Sequence, residues 1–547
     1  MQKQNKKLAT RIKTLEQKLE TEKSKFQELQ KELTVDNYSK YVKTCLSLNC
    51  RYDSEPGDIK LISRSEKEIS RYILKKYQIQ KIKSVKEEIK KLTKDPYLKN
   101  ASLGIAVFSM KNGKLLFGHN PRKLLVPASN MKLVTTAAAF NLLQPNFTFA
   151  THLKYSGKIE DGVLRGNIYI EGGGDPTLGS ERPGIDDHLK TTTKWIVAIK
   201  KLGIKKIEGS IIGDSSFYND YSTGPKLEWE DLGEAYGVAV SALNFHENFA
   251  VATLNVPAKI DRYLSVYKIA PPVPDIKLFC DIRTVKSFKP TWIQVYGAHN
   301  SYIRRIDGRI AIKGMKKIKV SFSIPRIPLY TAQFLKQKLE KAGIEVSGKS
   351  NYISPVSTQL DQTDKTLFHT IKSPSLKKII HWTNYRSLNL YADSLVKIIG
   401  KKLGKRGSLK EGSRVIMEYW RKRKIPENQL MMVDGSGLSR INLVSPFALA
   451  SILYKIKKSK YFQRFYDSLL VAGKSSSVWI LGDHPETKNN MRVKQGYIYK
   501  VRSFSGYVKT RKDELLGFSI IVNNYLYGSI KMKTVLYPFL WSLSELD

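Results

Sequence analysis

Between about residues 150 and 360 the chain reads as many short β-like runs cut by glycine turns, such as Leu164-Arg-Gly-Asn-Ile-Tyr-Ile-Glu-Gly-Gly-Gly-Asp. Helical text brackets this stretch. Pro127-Ala-Ser-Asn-Met-Lys opens a helix rich in small residues that runs to about Leu143, and helices dominate from 374 to about 470. One amphipathic helix is predicted near 330–342, within the β-rich text. β text also stands at both outer margins. Gly104 to Phe117 reads as strand, Asn-Gly turn, strand, and Val501–Val508 with Leu515–Asn523 reads as a terminal hairpin. Sheets and helices so interleaved require a mixed α/β (α+β) fold of several layers.

The margin of this body lies at about residue 95, where Asp95-Pro96-Tyr97 breaks a Lys-rich, polar N-terminal segment. Helical stretches are expected near 64–76 and 80–93. Leu8, Ile12, Leu15, Leu19, Phe26, Leu29 and Leu33 fall on alternating steps of four and three, with Glu22 breaking the seam. That is a heptad pattern, read either as a homodimerising stalk or as a solvated helix. Met1-Gln-Lys-Gln-Asn-Lys-Lys leads into polar sequence with no apolar core, so no secretory signal peptide shows in the chain as it stands. A mis-started or trimmed N-terminus and a true lack of an export signal both stay open.

The chain is 547 residues long with a formal charge of +44, and 41% of its residues are apolar. That apolar content excludes a wholly disordered chain, and no run of 18 or more apolar residues exists to form a spanning helix. Residues 1–100 carry 25 basic and 14 acidic side chains, so most of the excess lies elsewhere and is spread along the chain. A dedicated nucleic-acid arm would concentrate it. With no zinc-finger spacing, RNA-reading signature or glycine-rich phosphate loop, no specific nucleic-acid partner is expected.

Cys45, Cys50 and Cys280 are odd in number; a Cys45–Cys50 bridge and free thiols are equally compatible with the sequence. The eight histidines form no paired ligand spacing. His246 beside Glu247 reads as structural or solvated, so no metal is expected.

Ser129-Asn-Met-Lys132 is an S-x-x-K at a helix start, and the i,i+3 spacing brings the lysine amine within reach of the serine hydroxyl. A serine becomes a nucleophile when a neighbour takes its proton, and a lysine can do so when burial or nearby cations depress its pKa. Ser387-Leu-Asn389 supplies an S-x-N in helical text, and Lys494-Gln-Gly496 precedes the terminal hairpin where K-[ST]-G is expected. In that order the three motifs are the signature of penicillin-recognising serine acyl transferases and β-lactamases.

The surrounding text resembles one branch of them. Leu125-Val-Pro-Ala-Ser-Asn-Met-Lys-Leu-Val-Thr-Thr-Ala-Ala-Ala is similar to the nucleophile segment of the class C low-molecular-mass penicillin-binding proteins, D-alanyl-D-alanine carboxypeptidases and endopeptidases. Glu171-Gly-Gly-Gly-Asp-Pro-Thr-Leu, Ile207-Glu-Gly-Ser-Ile-Ile-Gly-Asp, Val240-Ser-Ala-Leu-Asn, Asp434-Gly-Ser-Gly-Leu-Ser-Arg and Phe518-Ser-Ile-Ile-Val-Asn-Asn resemble further landmarks of that family. The resemblance covers about 95–545. It implies a transpeptidase/β-lactamase-like catalytic domain that is discontinuous, 95–154 and 361–547, with β-rich domains inserted after the nucleophile helix. Ser129 and Ser387 lie 258 positions apart, which agrees. The inserted domain would be 155–257 and 323–360, with a smaller one nested at 258–322 and the helical, partly coiled-coil extension at 1–94.

By the same resemblance Ser129 would be the acylated nucleophile, Lys132 its base, and Ser387 the relay to the leaving amine. Asn389 would hold the substrate's peptide carbonyl, and Lys494 would supply positive charge near its terminal carboxylate. The backbone N–H groups of Ser129 and Tyr497 would form the oxyanion hole, with Gln495 and Gly496 on the same substrate-binding strand. No cofactor is implied. The expected substrates are peptidoglycan stem peptides, the expected inhibitors β-lactams, and the expected location periplasmic or otherwise outside the cytoplasm. A pure β-lactamase is disfavoured, because no water-activating carboxylate can be located.

One departure stands out. The family usually has Thr or Ser where this chain has Gln495, so a hydroxyl that would bond the substrate carboxylate is replaced by a longer amide. Reduced carboxypeptidase turnover is expected. The alternative is a catalytically weakened or inactive homologue acting as a cell-wall-binding scaffold. Asp175 and Asp434 read as loop-formers, and Arg502 as part of a solvated strand face.

Overall fold

The computed structural model describes residues 84–219, 223–286, 291–312, 314–355 and 364–546. The heptads, the helical stretch at 64–76 and the cysteines Cys45 and Cys50 lie outside the described residues. Helix α1 (Val85–Lys94) is amphipathic and buries Val85 and Leu92. A hairpin follows, β1 (Ser102–Ser109) and β2 (Leu115–His119), turning through Gly113 at a φ of +75°. A single 3-10 turn (Ala128–Asn130) then leads into α2 (Met131–Leu143).

The chain next leaves this body for a β-rich region. Its elements are β3 (Ala150–Tyr155), β4 (Ile168–Gly172), α3 (His188–Lys201), β5 (Ile211–Asp214) and β6 (Phe249–Asn255). There follow β7 (Ser265–Ala270), β8 (Lys277–Val285), β9 (Trp292–Tyr296), β10 (Ile303–Ala311) and β11 (Lys317–Ser323). Helix α4 (Ile327–Lys341) precedes β12 (Asn351–Ile353) and β13 (Thr366–Lys372).

On its return the chain forms α5 (Leu376–Tyr385), α6 (Asn389–Leu403), α7 (Leu409–Lys422) and α8 (Pro446–Lys457). It ends with β14 (Leu470–Val471), β15 (Arg492–Ile498), β16 (Val501–Lys509), β17 (Leu515–Asn523) and α9 (Tyr537–Ser544).

The central sheet has the order β2-β1-β17-β16-β15-β14, so its first two strands and its last four come from opposite ends of the sequence. Strand alternation gives this sheet two apolar faces. Ala106 and Phe108 of β1 join a core built on α2, α6 and α8, whereas Ile105 and Val107 join the core beneath α1 and α9. Helix α2 runs through the first core with eleven of its thirteen residues buried, which is why its sequence has no polar face.

In the β-rich region one sheet has the order β12-β5-β4-β3-β13, and two three-stranded sheets have the orders β7-β6-β11 and β8-β10-β9. They share a third core with Trp195, Phe245, Tyr330 and Leu335. Strands β3 and β13, at the two ends of the β-rich stretch, pair with each other inside this sheet. The crossings therefore lie at Phe149 and Ser373, where the two segments exchange hydrogen bonds of 2.9 Å: Ser373 N–H to Phe149 O, and Phe149 N–H to Ser373 Oγ. Glycine turns marked strand ends in the sequence, whereas long-range pairing decided which sheet each strand joined.

Candidate active site

Ser129 occupies the 3-10 turn at the head of α2. The turn is held in an uncommon shape, with Ala128 at a φ of +47°. A left-handed non-glycine residue costs about 1–3 kcal/mol and persists only where its surroundings fix it. Here Ser503 Oγ donates to Pro127 O at 2.7 Å. From the other side Gly437 packs so closely that a Cβ on it would meet Ala128 O at 1.9 Å. Asn130 ties the turn to the sheet, donating to Lys494 O at 2.9 Å and accepting from Ser505 N–H and Oγ.

One turn on, Lys132 is fully buried. Its Nζ donates to Ser129 Oγ at 3.0 Å, to Asn389 Oδ1 at 2.6 Å and to the Ser436 carbonyl at 2.6 Å. Burial disfavours the charged ammonium and lowers its pKa to about 8, although Asp393 and Asp434 act in the opposite sense. Asp393 lies one turn after Asn389 on α6, and its Oδ1 accepts from the N–H groups of Gly435 (2.7 Å) and Ser436 (2.9 Å). Burial and the neighbouring Asp434 push its carboxyl up to about 7. Asp434 itself holds its loop, accepting from the N–H groups of Gly437 and Ser439 and from Asn442.

Ser387 sits in the bend between α5 and α6 at a φ of +59°. Lys494, buried on β15, donates to Ser387 Oγ at 2.7 Å and to Gln495 O at 2.9 Å. The five polar residues thus form two hydrogen-bonded groups, Ser129–Lys132–Asn389 and Ser387–Lys494. The short backbone step from Ser387 to Asn389 joins them. Asn389 also reaches into the β-rich region, its Nδ2 donating to Tyr236 O at 2.8 Å.

Strand β15 brings the remaining residues alongside. At Gly496 a Cβ would meet Ser503 Oγ at 2.3 Å, Pro127 O at 2.7 Å and Ser129 N at 3.0 Å, so the strand passes the serine turn at a distance only glycine allows. Strand β14 pairs only with Arg492 and Val493, leaving 494–498 as the uncovered edge of the sheet among the described strands. Tyr497 lies on that edge, half-buried. Gln495 is buried, and its Oε1 has no hydrogen-bond partner among the described residues.

Three residues of this site escaped the sequence reading. Asp393 carried a usable signal, four residues after Asn389 on one helix face. Asn130 is an unspecified position within S-x-x-K, and Tyr236 acts through its backbone, so neither carried one. Arg502 corrects an expectation. It is buried, not solvated: it stacks 4.4 Å over the Tyr497 ring and donates to Ser529 Oγ.

A serine hydroxyl bonded to a buried amine, beside a second hydroxyl bonded to a second buried lysine, is equipped for covalent catalysis through the first hydroxyl. The profile of the D-Ala-D-Ala carboxypeptidase 3 (S13) family matches residues 85–537. The chain belongs to that family.

A D-alanyl-D-alanine carboxypeptidase, DacB, from Haemophilus influenzae is 25% identical over 442 residues, covering 80% of this chain and 88% of the relative. A D-alanyl-D-alanine carboxypeptidase from Actinomadura sp. is 25% identical over 474 residues, covering 81% of this chain and 82% of the relative. The fold matches the crystal structure of penicillin binding protein 4 from Haemophilus influenzae at a TM-score of 0.72. That match has 24% identity and covers 84% of this chain and 98% of the other. A second crystal structure of that protein, complexed with a β-lactam, matches at 0.67 with 23% identity, covering 84% of this chain and 99% of the other.

Within this carboxypeptidase-family fold the approach of β15 to the serine turn is testable. Gly496→Ala should overpack the contact and destabilise the protein by about 1–3 kcal/mol, read as a lower midpoint of thermal or denaturant unfolding. Gly528→Ala, where a Cβ would meet nothing within 4 Å among the described residues and only an N-cap preference is lost, should lower the midpoint much less.

Proposed function

We propose that the chain is a serine DD-peptidase. It removes terminal D-alanine from peptidoglycan stem peptides, cuts D-alanyl–diamino acid cross-links, or both, through an acyl-enzyme on Ser129 that β-lactams also form. The observation that carries this reading is the bond between Lys132 Nζ and Ser129 Oγ, in a chain that belongs to a D-Ala-D-Ala carboxypeptidase family.

In its neutral form the Lys132 amine keeps two N–H bonds. The Asn389 amide oxygen and the Ser436 carbonyl are placed to accept them, which aims the lone pair at Ser129 Oγ. As Oγ attacks the carbonyl of the penultimate D-alanine, Lys132 takes its proton. The C–N bond then breaks, and the departing amine takes the proton that Lys132 had gained, relayed through the hydroxyl of Ser387, which Lys494 holds. Water hydrolyses the ester and regenerates the serine. The backbone N–H of Ser129, beside Gly496 on the open edge of β15, joins that of Tyr497 as the oxyanion hole. The edge takes the substrate peptide as an added strand. Neither metal nor organic cofactor enters the reaction.

The crossing at Phe149 and Ser373 supports a catalytic domain made of the segments on either side of the β-rich insertion, with a smaller unit nested within 258–322. A peptidoglycan substrate supports a location outside the cytoplasm, in the periplasm where there is one.

Labelling with a fluorescent penicillin and release of D-alanine from a pentapeptide test the reading together. The protein should label on the peptide containing Ser129 and release D-alanine, and Ser129→Ala should do neither. A folded wild type that binds sacculi but neither labels nor turns over would establish the scaffold alternative instead. Gln495 gives a second test. Restoring a hydroxyl donor with Gln495→Thr should raise carboxypeptidase kcat/KM about 5- to 150-fold, the equivalent of about 1–3 kcal/mol for one substrate hydrogen bond.

A further inference from the structure

The β-rich region holds a second cluster of chemistry-bearing side chains that the acyl-transfer site does not use. Glu181 lies in the loop after β4, His188 is the first residue of α3, and His246 sits in the tight turn before β6. The two histidines are far apart in sequence, so no spacing rule joins them. In the fold, His246 Nε2 lies 3.3 Å and His188 Nδ1 lies 3.5 Å from Glu181 Oε1. One donor atom from each of the three residues falls within 4.8 Å of the others.

We propose that Glu181, His188 and His246 form a binding site for a divalent transition-metal ion of the zinc class, with the fourth coordination position open to water. Two imidazoles and one carboxylate are a donor set that zinc takes readily, and four-coordinate zinc holds such atoms at about 2.0–2.2 Å. Along a tetrahedral edge that distance separates neighbouring donors by about 3.3–3.6 Å, a range that holds both N···O separations. An ordinary hydrogen bond accounts for the His246 contact alone. His188 Nδ1 is buried and makes no hydrogen bond among the described residues, although it faces Glu181 at 3.5 Å.

The cluster is also braced on both sides. Arg182, next to Glu181, makes two hydrogen bonds to Glu247, next to His246, at 2.9 and 2.8 Å. Ser180 Oγ donates to the same carboxylate at 2.6 Å, and the His246 N–H donates to Leu178 O at 2.9 Å. These bonds clamp the Glu181 loop onto the His246 turn, the kind of outer support that orients metal ligands. Glu181 is half-exposed, which leaves an entry path. Lys319 and Lys338 lie close enough to act on the cluster electrostatically, so affinity should be moderate.

The position gives the ion a structural role. Glu247 also accepts from Tyr391 Oη at 2.8 Å, and Tyr391 lies on α6 two residues after Asn389. An ion at this cluster would stiffen the junction between the β-rich region and the helix that presents Asn389 to Lys132.

The test is cobalt titration of the chelator-treated full chain, followed by zinc competition. Wild type should take up one cobalt ion with the visible ligand-field absorption of a four-coordinate site, displaced by zinc, and zinc should raise its melting temperature. His188→Ala and Glu181→Gln, at partly accessible positions that should tolerate change better than buried His246, should each bind about 100-fold more weakly and lose the thermal shift. His152→Ala, on another strand, should bind as wild type does. Absence of the band in wild type would overturn the proposal, as would a band that persists unchanged in His188→Ala and Glu181→Gln.

Discussion

The site is organised around one buried amine. Lys132 has no exposure to solvent, and three acceptors surround its Nζ: a hydroxyl on its own helix turn, an amide oxygen from α6 and a carbonyl from the 434–437 loop. Burying an ammonium is costly unless its donors are met, so each of these elements must be in place for the lysine to be tolerated. The same burial lowers its pKa towards the range in which it can act as a base. One side chain thereby couples the packing of α2, α6 and the loop to the chemistry of Ser129.

The elements around the lysine are in turn fixed from a distance. Asp393 holds the Ser436 backbone whose carbonyl faces Lys132, and the Tyr236 carbonyl of the β-rich region holds the other end of the Asn389 amide. Lys397, buried on α6, donates to Val240 O in that same region. The β-rich region thus braces the helix that positions Asn389. The proposed ion cluster at Glu181, His188 and His246 sits at that brace.

Elements with local causes were legible in the sequence. The small-residue helix after Pro127, the hairpin through Gly113, the helix at 327–341 and the terminal hairpin all follow from periodicity and turn chemistry. Three motifs pointed to both serines, both lysines and Asn389, which the fold brings together. What was illegible depends on long-range pairing. The pairing of β3 with β13, the burial of Arg502 against Tyr497 and the meeting of His188 with His246 arise between residues whose own neighbours give no sign of it. Tyr236 contributes a carbonyl, which every residue type possesses. Gln495 lies between these cases: its departure from the family pattern showed in the sequence, but its burial with a carbonyl that has no partner among the described residues did not.

In the proposed reaction Lys132 serves as a neutral base because burial lowers its pKa. A base acts only when deprotonated, so the rate of Ser129 acylation should rise with pH as the neutral fraction grows. The pH dependence of the second-order acylation rate by a β-lactam measures this directly. The rate should climb to a plateau with a midpoint near pH 8. In Asp393→Asn, where a negative charge that favours the ammonium is removed, the midpoint should move lower. A midpoint near 10.5, the ordinary lysine value, or a rate independent of pH across this range, would contradict the account.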